Sequence, residues 1–307
     1  MQQMDKCVSV VMPTHNRAAF LNRTIPSYIQ EGVAEVIVVD DCSTDHTKET
    51  VQALQEKYPC IQYLRNECNM LQPATKNRGM KYVTQPYIYF ADDDSVLLPG
   101  TISFLLQAMR SCNADVMGAV PIYADCDADM ENLPAVIKRK APLTTNAMEY
   151  VDISHLEQVN FFFRMEQPVQ VPFTHACALV KTGCIHSARF DVGLKGNAYR
   201  EETDFFLQLG KLGAKIYFCA SEHAAQINLP FAKIGRHRTL RSMWRHGKYD
   251  MINSLKLIDK HHAYFRTHWN YPHGKAYMKV SYVLNDLWMY ARILPSRILS
   301  MIVKRLR

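Results

Sequence analysis

The sequence lacks three patterns that define other protein classes. No run of about 18 uncharged apolar residues occurs in the chain, which argues against a membrane-spanning helix. None of the nine cysteines forms a CxxC pair or lies at a metal-ligand spacing from a histidine, so we expect reduced thiols rather than disulfides or a zinc site. No GxGxxG motif follows a predicted strand, which argues against a nicotinamide dinucleotide fold.

A signal-peptide core is also missing from the N-terminal residues. After the charged Asp5 and Lys6, the first apolar stretch is only about six residues long, which is too short for a secretory signal. With 48% hydrophobic residues, the 307-residue chain can bury a large core. We therefore expect a cytoplasmic protein, built as two domains or as one large domain with an appendage.

Three short apolar runs end in clusters of polar residues. Residues 8–12 lead into Pro-Thr-His-Asn-Arg (13–17), and residues 36–39 lead into Asp-Asp-Cys-Ser-Thr-Asp (40–45). The third run, 87–91, stops at three consecutive carboxylates, Asp92, Asp93 and Asp94. In an open α/β sheet the carboxyl ends of parallel strands share one edge, where ligands bind. We expect these clusters to meet there.

Three adjacent carboxylates repel one another unless a cation neutralises them. Oxygen-only ligands favour Mg²⁺ or Mn²⁺, which would also hold a substrate diphosphate. The alternative is that Asp92–Asp94 cap a helix or form an exposed turn, since Pro99 follows closely.

The periodicity predicts alternating strands and helices. Helices are expected over 18–30, 44–58, 73–83 and 99–110, and further strands over 61–64 and 116–123. This alternation is typical of a doubly wound α/β domain.

Five ordered motifs resemble a known family. They are VSVVMPTHNR (8–17), VIVVDDCSTD (36–45), ATKNRG (74–79), FADDD (90–94) and REETDF (200–205). In order and spacing they are similar to glycosyltransferase family 2, the inverting enzymes of the GT-A fold, over roughly residues 6–240. The resemblance implies an α/β, Rossmann-like and mostly parallel sheet with flanking helices, and a nucleotide-sugar donor.

The resemblance also implies roles for individual residues. Asp41 would contact the base or ribose, with Asp40 beside it, and Lys76 stands where the family usually has an arginine. Asp94 and Asp92 would hold Mn²⁺ or Mg²⁺ against the diphosphate, and Asp93 would face the donor sugar. The whole nucleotide-sugar set is Pro13, Thr14, Asn16, Arg17, Asp40, Asp41, Lys76, Asp92 and Asp93.

The catalytic base should come from the acidic start of a predicted helix. The family commonly has Glu-Asp here with the aspartate as base, so Glu202 is the matching residue, followed as candidates by Asp204 and Glu201. The alternative is that these carboxylates only complement the positive end of the helix dipole. Apolar Phe205 and Leu212 should pack inward.

One expected metal ligand is missing from its usual place. Many relatives carry a histidine downstream of the base, where this chain has Asn228. An asparagine carbonyl can bind a hard cation, and His223 or His237 could substitute instead. The third ligand stays open at this point.

We expect a catalytic domain over 1–232, with a nucleotide-sugar half at about 1–123 and an acceptor half at about 124–232, and a helical region over 233–307. That last region holds 16 Lys and Arg against 3 Asp and Glu. Its end, 279–307, mixes aromatic, aliphatic and basic residues, which suits either a helix on an anionic membrane or a helix packed on the domain. Nucleic acid is not an expected partner, because no nucleic-acid-binding fold accompanies the charge.

The sequence thus favours a metal-dependent inverting glycosyltransferase. It would move a sugar from a nucleotide donor to a saccharide or lipid-linked acceptor in surface polysaccharide synthesis, either in the cytoplasm or on the inner face of the membrane. The alternative, motivated by Lys76 and Asn228, is a catalytically silent nucleotide-sugar or glycan-binding module of the same fold.

Overall fold

A computed structural model of the chain describes residues 5–143, 153, 156, 164–219, 221–230 and 240–305. The side chains of 240–243, 290 and 292–305 fall outside this description. The strands are β1 (Val8–Thr14), β2 (Val33–Asp40), β3 (Ile61–Arg65), β4 (Tyr87–Phe90), β5 (Ser95–Leu97), β6 (Val116–Gly118), β7 (Val120–Tyr123), β8 (Val169–Gln170), β9 (Ala178–Lys181), β10 (Ile216–Phe218) and β11 (Ala225–Asn228). The helices are α1 (Ala18–Tyr28), α2 (Thr47–Lys57), α3 (Leu71–Met80), α4 (Thr101–Cys112), α5 (Leu133–Lys140), α6 (Glu201–Lys211), α7 (Leu240–His268) and α8 (Lys275–Arg305).

Within the described residues, eight strands form one mixed sheet in the order β3-β2-β1-β4-β9-β6-β10-β8. The half that contains β3, β2, β1 and β4 is parallel, whereas β9 runs antiparallel to both of its neighbours. A smaller sheet joins β5, β11 and β7. The predicted α/β architecture with a mostly parallel sheet is confirmed.

Strand β1 is buried on both faces, as expected for a central parallel strand. Its alternate residues enter two cores: Val10 and Met12 pack with α1 and α4, whereas Val11 packs with residues that include Phe205 of α6. Gly79 brings α3 close to this strand, since a Cβ there would lie 2.5 Å from Val11 Cγ1. The apolar runs of the sequence therefore build the layer from which the polar strand ends project.

Two details of the predicted secondary structure are wrong. The single strand expected over 116–123 is divided at Ala119, so that β6 joins the larger sheet and β7 joins the smaller one. One apolar run serves both sheets because the chain crosses between them within the core, where Ala119 is fully buried. Leu212, expected to point inward, is 47% exposed because α6 ends one residue earlier.

The C-terminal region is helical, as predicted. Ile258 and Phe265 of α7 and Met278 of α8 belong to the same core cluster as Phe205 of α6. The two long helices thus pack directly on the sheet domain. Among the described helices, none combines the length and the apolar character needed to cross a bilayer.

Candidate active site

A cavity of about 820 Å³ opens beyond the carboxyl ends of β1, β2 and β4. Its wall is built from the polar segment after β1, the turn after β2, the three aspartates after β4 and the start of α6. The sheet topology explains this convergence, because β2, β1 and β4 are parallel neighbours. The expected meeting of the three polar clusters at one sheet edge is therefore observed.

Strand β11 supports the outer two aspartates. Gln226 Nε2 donates to Asp92 Oδ2 at 2.9 Å, and Asn228 Nδ2 lies 3.4 Å from Asp94 Oδ1. Residues two apart on a strand share a face, so both amide side chains point towards the aspartates. The position of Asn228 beside Asp94 agrees with the prediction that it belongs to this cluster.

The aspartates are hard to ionise together. Burial raises the pKa of Asp92 to about 6, an effect that Asp94 and Glu202 strengthen and Lys76 opposes. Burial and the neighbouring Asp94 raise the pKa of Asp93 to about 7, although Arg17 Nε lies 3.7 Å from Asp93 Oδ1. Full ionisation at neutral pH thus calls for more positive charge than these side chains supply.

The residues present fit a hard divalent cation. Asp92 and Asp94 offer carboxylate oxygens, and Asn228 Oδ1 is buried without a hydrogen-bond partner among the described residues. An unpartnered carbonyl oxygen beside two carboxylates suits Mg²⁺ or Mn²⁺. Within the described residues, no group of three or more His, Cys, Asp or Glu side chains is arranged to hold a metal. A bound diphosphate would therefore have to complete the coordination.

Four residues to which the family resemblance gives the nucleotide line the cavity. They are Pro13, Thr14, Arg17 and Asp41. The Asp41 carboxylate accepts hydrogen bonds from Asn66 Nδ2 and from the backbone N–H groups of residues 70 and 71, at 2.7–2.8 Å. Asp41 thus holds the turn before α3 in place as well as facing the cavity.

Three residues of the predicted nucleotide-sugar set, Asn16, Asp40 and Lys76, do not line the cavity. Asp40 is fully buried and accepts hydrogen bonds from the Tyr63 hydroxyl at 2.6 Å and from Arg65 Nη1 at 2.7 Å. Asn16 adopts a left-handed backbone, with φ of 54°, and its Oδ1 accepts from the backbone N–H of Thr44 at 2.7 Å. The side chains of Asp40 and Asn16 shape the loops after β1 and β2.

Lys76 lies behind the cavity wall in a buried ionic cluster. Its Nζ donates to Glu201 Oε1 at 3.0 Å and to Glu202 Oε1 at 2.9 Å, and the side chain is fully buried. The ammonium group also lies 5.2 Å from the centre of the Phe190 ring, which stacks on Phe205 at 4.2 Å. The structure therefore directs Lys76 to the two glutamates at the start of α6.

The pKa values of the two glutamates are shifted in opposite directions. Burial raises the pKa of Glu201 to about 8, with Glu202 adding to the shift and Lys76 opposing it. Burial also raises the pKa of Glu202, but the charge and hydrogen bond of Lys76 outweigh it and leave that pKa below its ordinary value. Glu202 is thus a carboxylate at neutral pH, and with 24% of its side chain exposed it can accept a proton in the cavity.

Asp204 faces away from the cavity. His261 Nε2 donates to its Oδ1 at 2.6 Å, and Lys260 Nζ and Gln208 Nε2 donate to its Oδ2, each at 2.7 Å. Burial raises the Asp204 pKa, but these hydrogen bonds outweigh it and keep the pKa low. The residue connects α6 to α7 and has no access to a substrate.

His223 is not part of this site. Its exposed ring lies 5.5 Å from the ring of Phe104, and it does not line the cavity. His237 lies outside the described residues. Of the three candidates for a further metal ligand, the structure brings Asn228 to the aspartates.

Several cavity residues escaped the sequence analysis. His15 lines the cavity beside Asp41, and its Nδ1 donates to the Asp41 backbone carbonyl at 2.8 Å, a position that its place in the polar segment after β1 could have indicated. Long-range packing brings in further residues that no local pattern marks. They are His175, Asn197, Tyr199, His246 and Asp250.

The assembled cavity places a proton-accepting carboxylate beside a cluster that fits a metal-bound diphosphate. Such a pair suits the attack of a hydroxyl on a carbon whose leaving group is a diphosphate. The comparisons with known proteins point the same way.

The family model "Glycosyl transferase family 2" matches residues 9–167, just over half of the chain. A β-1,3-glucosyltransferase of Campylobacter jejuni named for GalNAc(5)-diNAcBac-PP-undecaprenol is 37% identical over 114 residues, 36% of this chain and 37% of that protein. WcaA of Escherichia coli, provisionally named a colanic acid biosynthesis glycosyl transferase, is 34% identical over 103 residues, 32% of this chain and 36% of that protein. Each match thus spans less than two fifths of the relative's length.

Two solved structures share the fold over most of the chain. The Staphylococcus aureus TarS fragment 1-349 in complex with UDP-GlcNAc has a TM-score of 0.55 at 15% identity, covering 92% of this chain and 73% of that one. The mannosyltransferase PcManGT from Pyrobaculum calidifontis in complex with GDP-Man and Mn²⁺ has the same TM-score and identity, covering 98% of this chain and 80% of that one. From the family match and the shared fold, this chain belongs to glycosyl transferase family 2 and has the GT-A fold of nucleotide-sugar glycosyltransferases.

Proposed function

We propose that this protein is a metal-dependent, inverting glycosyltransferase that moves a sugar from a nucleotide sugar to a saccharide acceptor. The observation that carries the proposal is the placement of Glu202 in one cavity with Asp92, Asp93 and Asp94. A carboxylate held ionised by Lys76 is the group that the transfer needs beside the diphosphate.

In the proposed reaction, Glu202 accepts the proton of an acceptor hydroxyl as that oxygen attacks the anomeric carbon of the donor. The new C–O bond forms as the bond between the anomeric carbon and the diphosphate breaks, and the nucleoside diphosphate leaves with the electron pair. Attack opposite the leaving group inverts the configuration. Lys76 acts on this step through Glu202, and the protonated Glu201 allows one lysine to serve both glutamates.

Asp92, Asp94 and Asn228 would hold the Mn²⁺ or Mg²⁺ ion. When bound, the ion supplies positive charge that stabilises the departing diphosphate. Pro13, Thr14, Arg17 and Asp41 would hold the nucleoside end, in a position that agrees with their predicted role. The Mn²⁺ in the PcManGT complex supports this part of the proposal.

The relatives favour a glycan acceptor. One is named for a glycan on undecaprenyl diphosphate and another for colanic acid biosynthesis, so we infer a saccharide chain, free or lipid-linked, as the acceptor and surface polysaccharide synthesis as the setting. The silent-module alternative finds less support, because the two departures that motivated it have places in the cluster. Lys76 binds the glutamates, and Asn228 contacts Asp94.

Helix α8 supports a peripheral membrane contact. One face of its first half packs through Met278 and Tyr282, whereas five apolar side chains at helical spacing are more than half exposed. These are Tyr277, Val280, Leu284, Leu287 and Trp288. The basic residues that follow, within 292–307, complement an anionic lipid surface. We infer that this apolar face of α8 lies on an anionic membrane, which would bring the enzyme to a lipid-linked acceptor.

Replacement of Glu202 by Gln should lower turnover by about 10² or more with donor affinity nearly intact, because the amide keeps the shape but accepts no proton. Nucleoside diphosphate release from a panel of nucleotide sugars with Mn²⁺ and saccharide acceptors measures this. The matched control is Glu201→Gln, which imitates the protonated side chain and should lower turnover by less than about tenfold. Wild-type turnover in Glu202→Gln, with loss in Asp204→Asn at unchanged thermal stability, would move the base to Asp204.

Replacement of Lys76 by Met tests the role of the lysine. Without the cation the Glu202 pKa rises, so the acid limb of the pH–rate profile should move to higher pH while nucleoside diphosphate affinity stays within a few-fold. The profile of the Glu201→Gln variant, which keeps the lysine, provides the comparison. An unshifted profile together with a large loss of nucleoside diphosphate affinity would show that Lys76 binds phosphate, as the family motif implied.

Chelation by EDTA should weaken nucleoside diphosphate binding by much more than tenfold, and Mn²⁺ or Mg²⁺ should restore it, because the aspartates repel the phosphates without a cation. Isothermal titration measures the affinity. The Asp94→Ala variant should bind nucleoside diphosphate weakly with or without metal. The control variant Asp127→Asn changes a 63% exposed carboxylate outside the cavity and should bind as the wild type does. Unchanged affinity after full chelation of the wild type contradicts the metal assignment.

Vesicle co-sedimentation tests the apolar face of α8. The full chain should bind phosphatidylglycerol vesicles at low ionic strength and bind less as salt rises, since each basic residue near the surface contributes about 1 kcal/mol. Replacing Leu284, Leu287 and Trp288 together by Gln should abolish binding, and Leu212→Gln, at another exposed apolar site, should not. Equal partitioning of both variants would show that this face does not contact lipid.

A further inference from the structure

We propose that the cavity wall formed by residues 197–200 and by His246 and Asp250 of α7 is a subsite for an uncharged sugar ring of the acceptor. The inference rests on the proposed glycosyl transfer. It assigns cavity residues to the acceptor, and these residues lie beyond 9–167, the part of the chain that the family model matches.

The assignment of this wall follows from the lining residues that remain once the other roles are given. Pro13, Thr14, Arg17, Asp41 and the three aspartates are assigned to the donor, and Glu202 marks the place where the acceptor hydroxyl must lose its proton. Asn197, Tyr199, His246 and Asp250 also line the cavity, and residues 197–200 lead directly into the glutamates of α6. We assign them to the ring of an acceptor that presents its hydroxyl to Glu202.

The wall is rigidly built, although it comes from two distant parts of the sequence. Asn253 of α7 binds both backbone groups of Lys195, accepting from its N–H at 2.9 Å and donating to its carbonyl at 3.0 Å. Gly196 has φ of 66° and no room for a side chain, since a Cβ would lie 2.4 Å from the Tyr249 ring. The link between Asp204 and His261 fixes the same helix further along. Such a wall is preorganised for a ligand.

The side chains suit a neutral sugar. Tyr199 lines the cavity and is 42% exposed, so its side chain can contact a pyranose ring, and one carboxylate oxygen of Asp250, Oδ1, is buried without a hydrogen-bond partner among the described residues. A sugar hydroxyl is a donor that would satisfy this oxygen. Burial raises the pKa of Asp250 to about 6, which agrees with an acceptor atom that lacks its partner.

A phosphate group does not suit this wall. Among residues 197–200, His246 and Asp250, Arg200 carries the permanent positive charge, and its guanidinium is already engaged: Nε donates to Ser254 Oγ at 3.1 Å and Nη1 to the Leu156 carbonyl. The preceding Lys195 is not among the residues that line the cavity. Its Cζ also lies 4.6 Å from the centre of the Tyr199 ring. Asp250 would moreover repel an anion. The phosphates of a lipid-linked acceptor would therefore lie outside this subsite.

Saturation-transfer NMR with the full chain tests the subsite without turnover. The probes are a panel of neutral methyl glycosides and the matching glycosyl phosphates. The samples contain Mg²⁺ instead of Mn²⁺, because Mn²⁺ is paramagnetic and would broaden the signals. We expect binding of at least one methyl glycoside and weaker binding of its phosphate counterpart. Failure of every glycoside to bind, or a preference for the phosphates, overturns the proposal.

Substitutions then locate the bound sugar. Asp250→Asn and Tyr199→Ala should each weaken glycoside binding by tenfold or more, whereas Asp259→Asn, on the outer part of the same helix, should not. Nucleoside diphosphate affinity, measured on the same samples, separates this proposal from the proposed function. If the wild type binds the glycoside but no nucleoside diphosphate, the proposed function is contradicted and the sugar subsite is not. Unchanged glycoside affinity in folded Asp250→Asn and Tyr199→Ala variants overturns the subsite, and the exposed position of Tyr199 keeps the test valid if Asp250→Asn unfolds.

Discussion

The buried contact of Lys76 with Glu201 and Glu202 is the interaction on which the site depends. The fully buried Lys76 ammonium group donates to one oxygen of each glutamate, and removing one partner from a buried ion pair costs about 3–5 kcal/mol. The contact also joins α3 to α6, through Lys76 and Glu201, which are 125 residues apart in the sequence. The Lys76 ammonium group therefore holds α6 in place at the cavity wall and also keeps the proposed base, Glu202, ionised.

The surrounding aromatic packing fixes the position of this ionic cluster relative to Asp92, Asp93 and Asp94. Phe90 ends β4 two residues before Asp92, and its ring makes edge contacts with Phe190 at 5.2 Å and Phe205 at 5.6 Å. Phe205 lies one turn after the glutamates on α6. The distance between the carboxylates that would hold the metal and the carboxylate that would accept the proton is thus set by a hydrophobic core rather than by a flexible loop.

Local patterns predicted the parts of the site that lie at strand ends. The alternation of apolar runs and polar clusters was enough to bring the 13–17 segment, Asp41 and Asp92–Asp94 to one edge, because parallel neighbours must end together. The same patterns could not show that Asp40 and Asn16 point into loops, since both share a motif with residues that do reach the cavity. The family resemblance that gave Lys76 its expected role could not show its partners, because Glu201 and Glu202 lie on a helix that only the tertiary fold brings close.

The presence of His246 and Asp250 in the cavity could not be predicted from the sequence, for a related reason. His246 and Asp250 lie in a basic region that resembles a surface helix when read alone, and their role depends on how α7 lies against α6. That placement rests on Asp204, whose carboxylate is saturated by His261, Lys260 and Gln208. Along the first turns of α6, Glu202 faces the cavity and Asp204 faces α7, because two positions on a helix differ by about 200°. The same short acidic segment thus places the proposed base in the cavity and anchors the helix that carries His246 and Asp250.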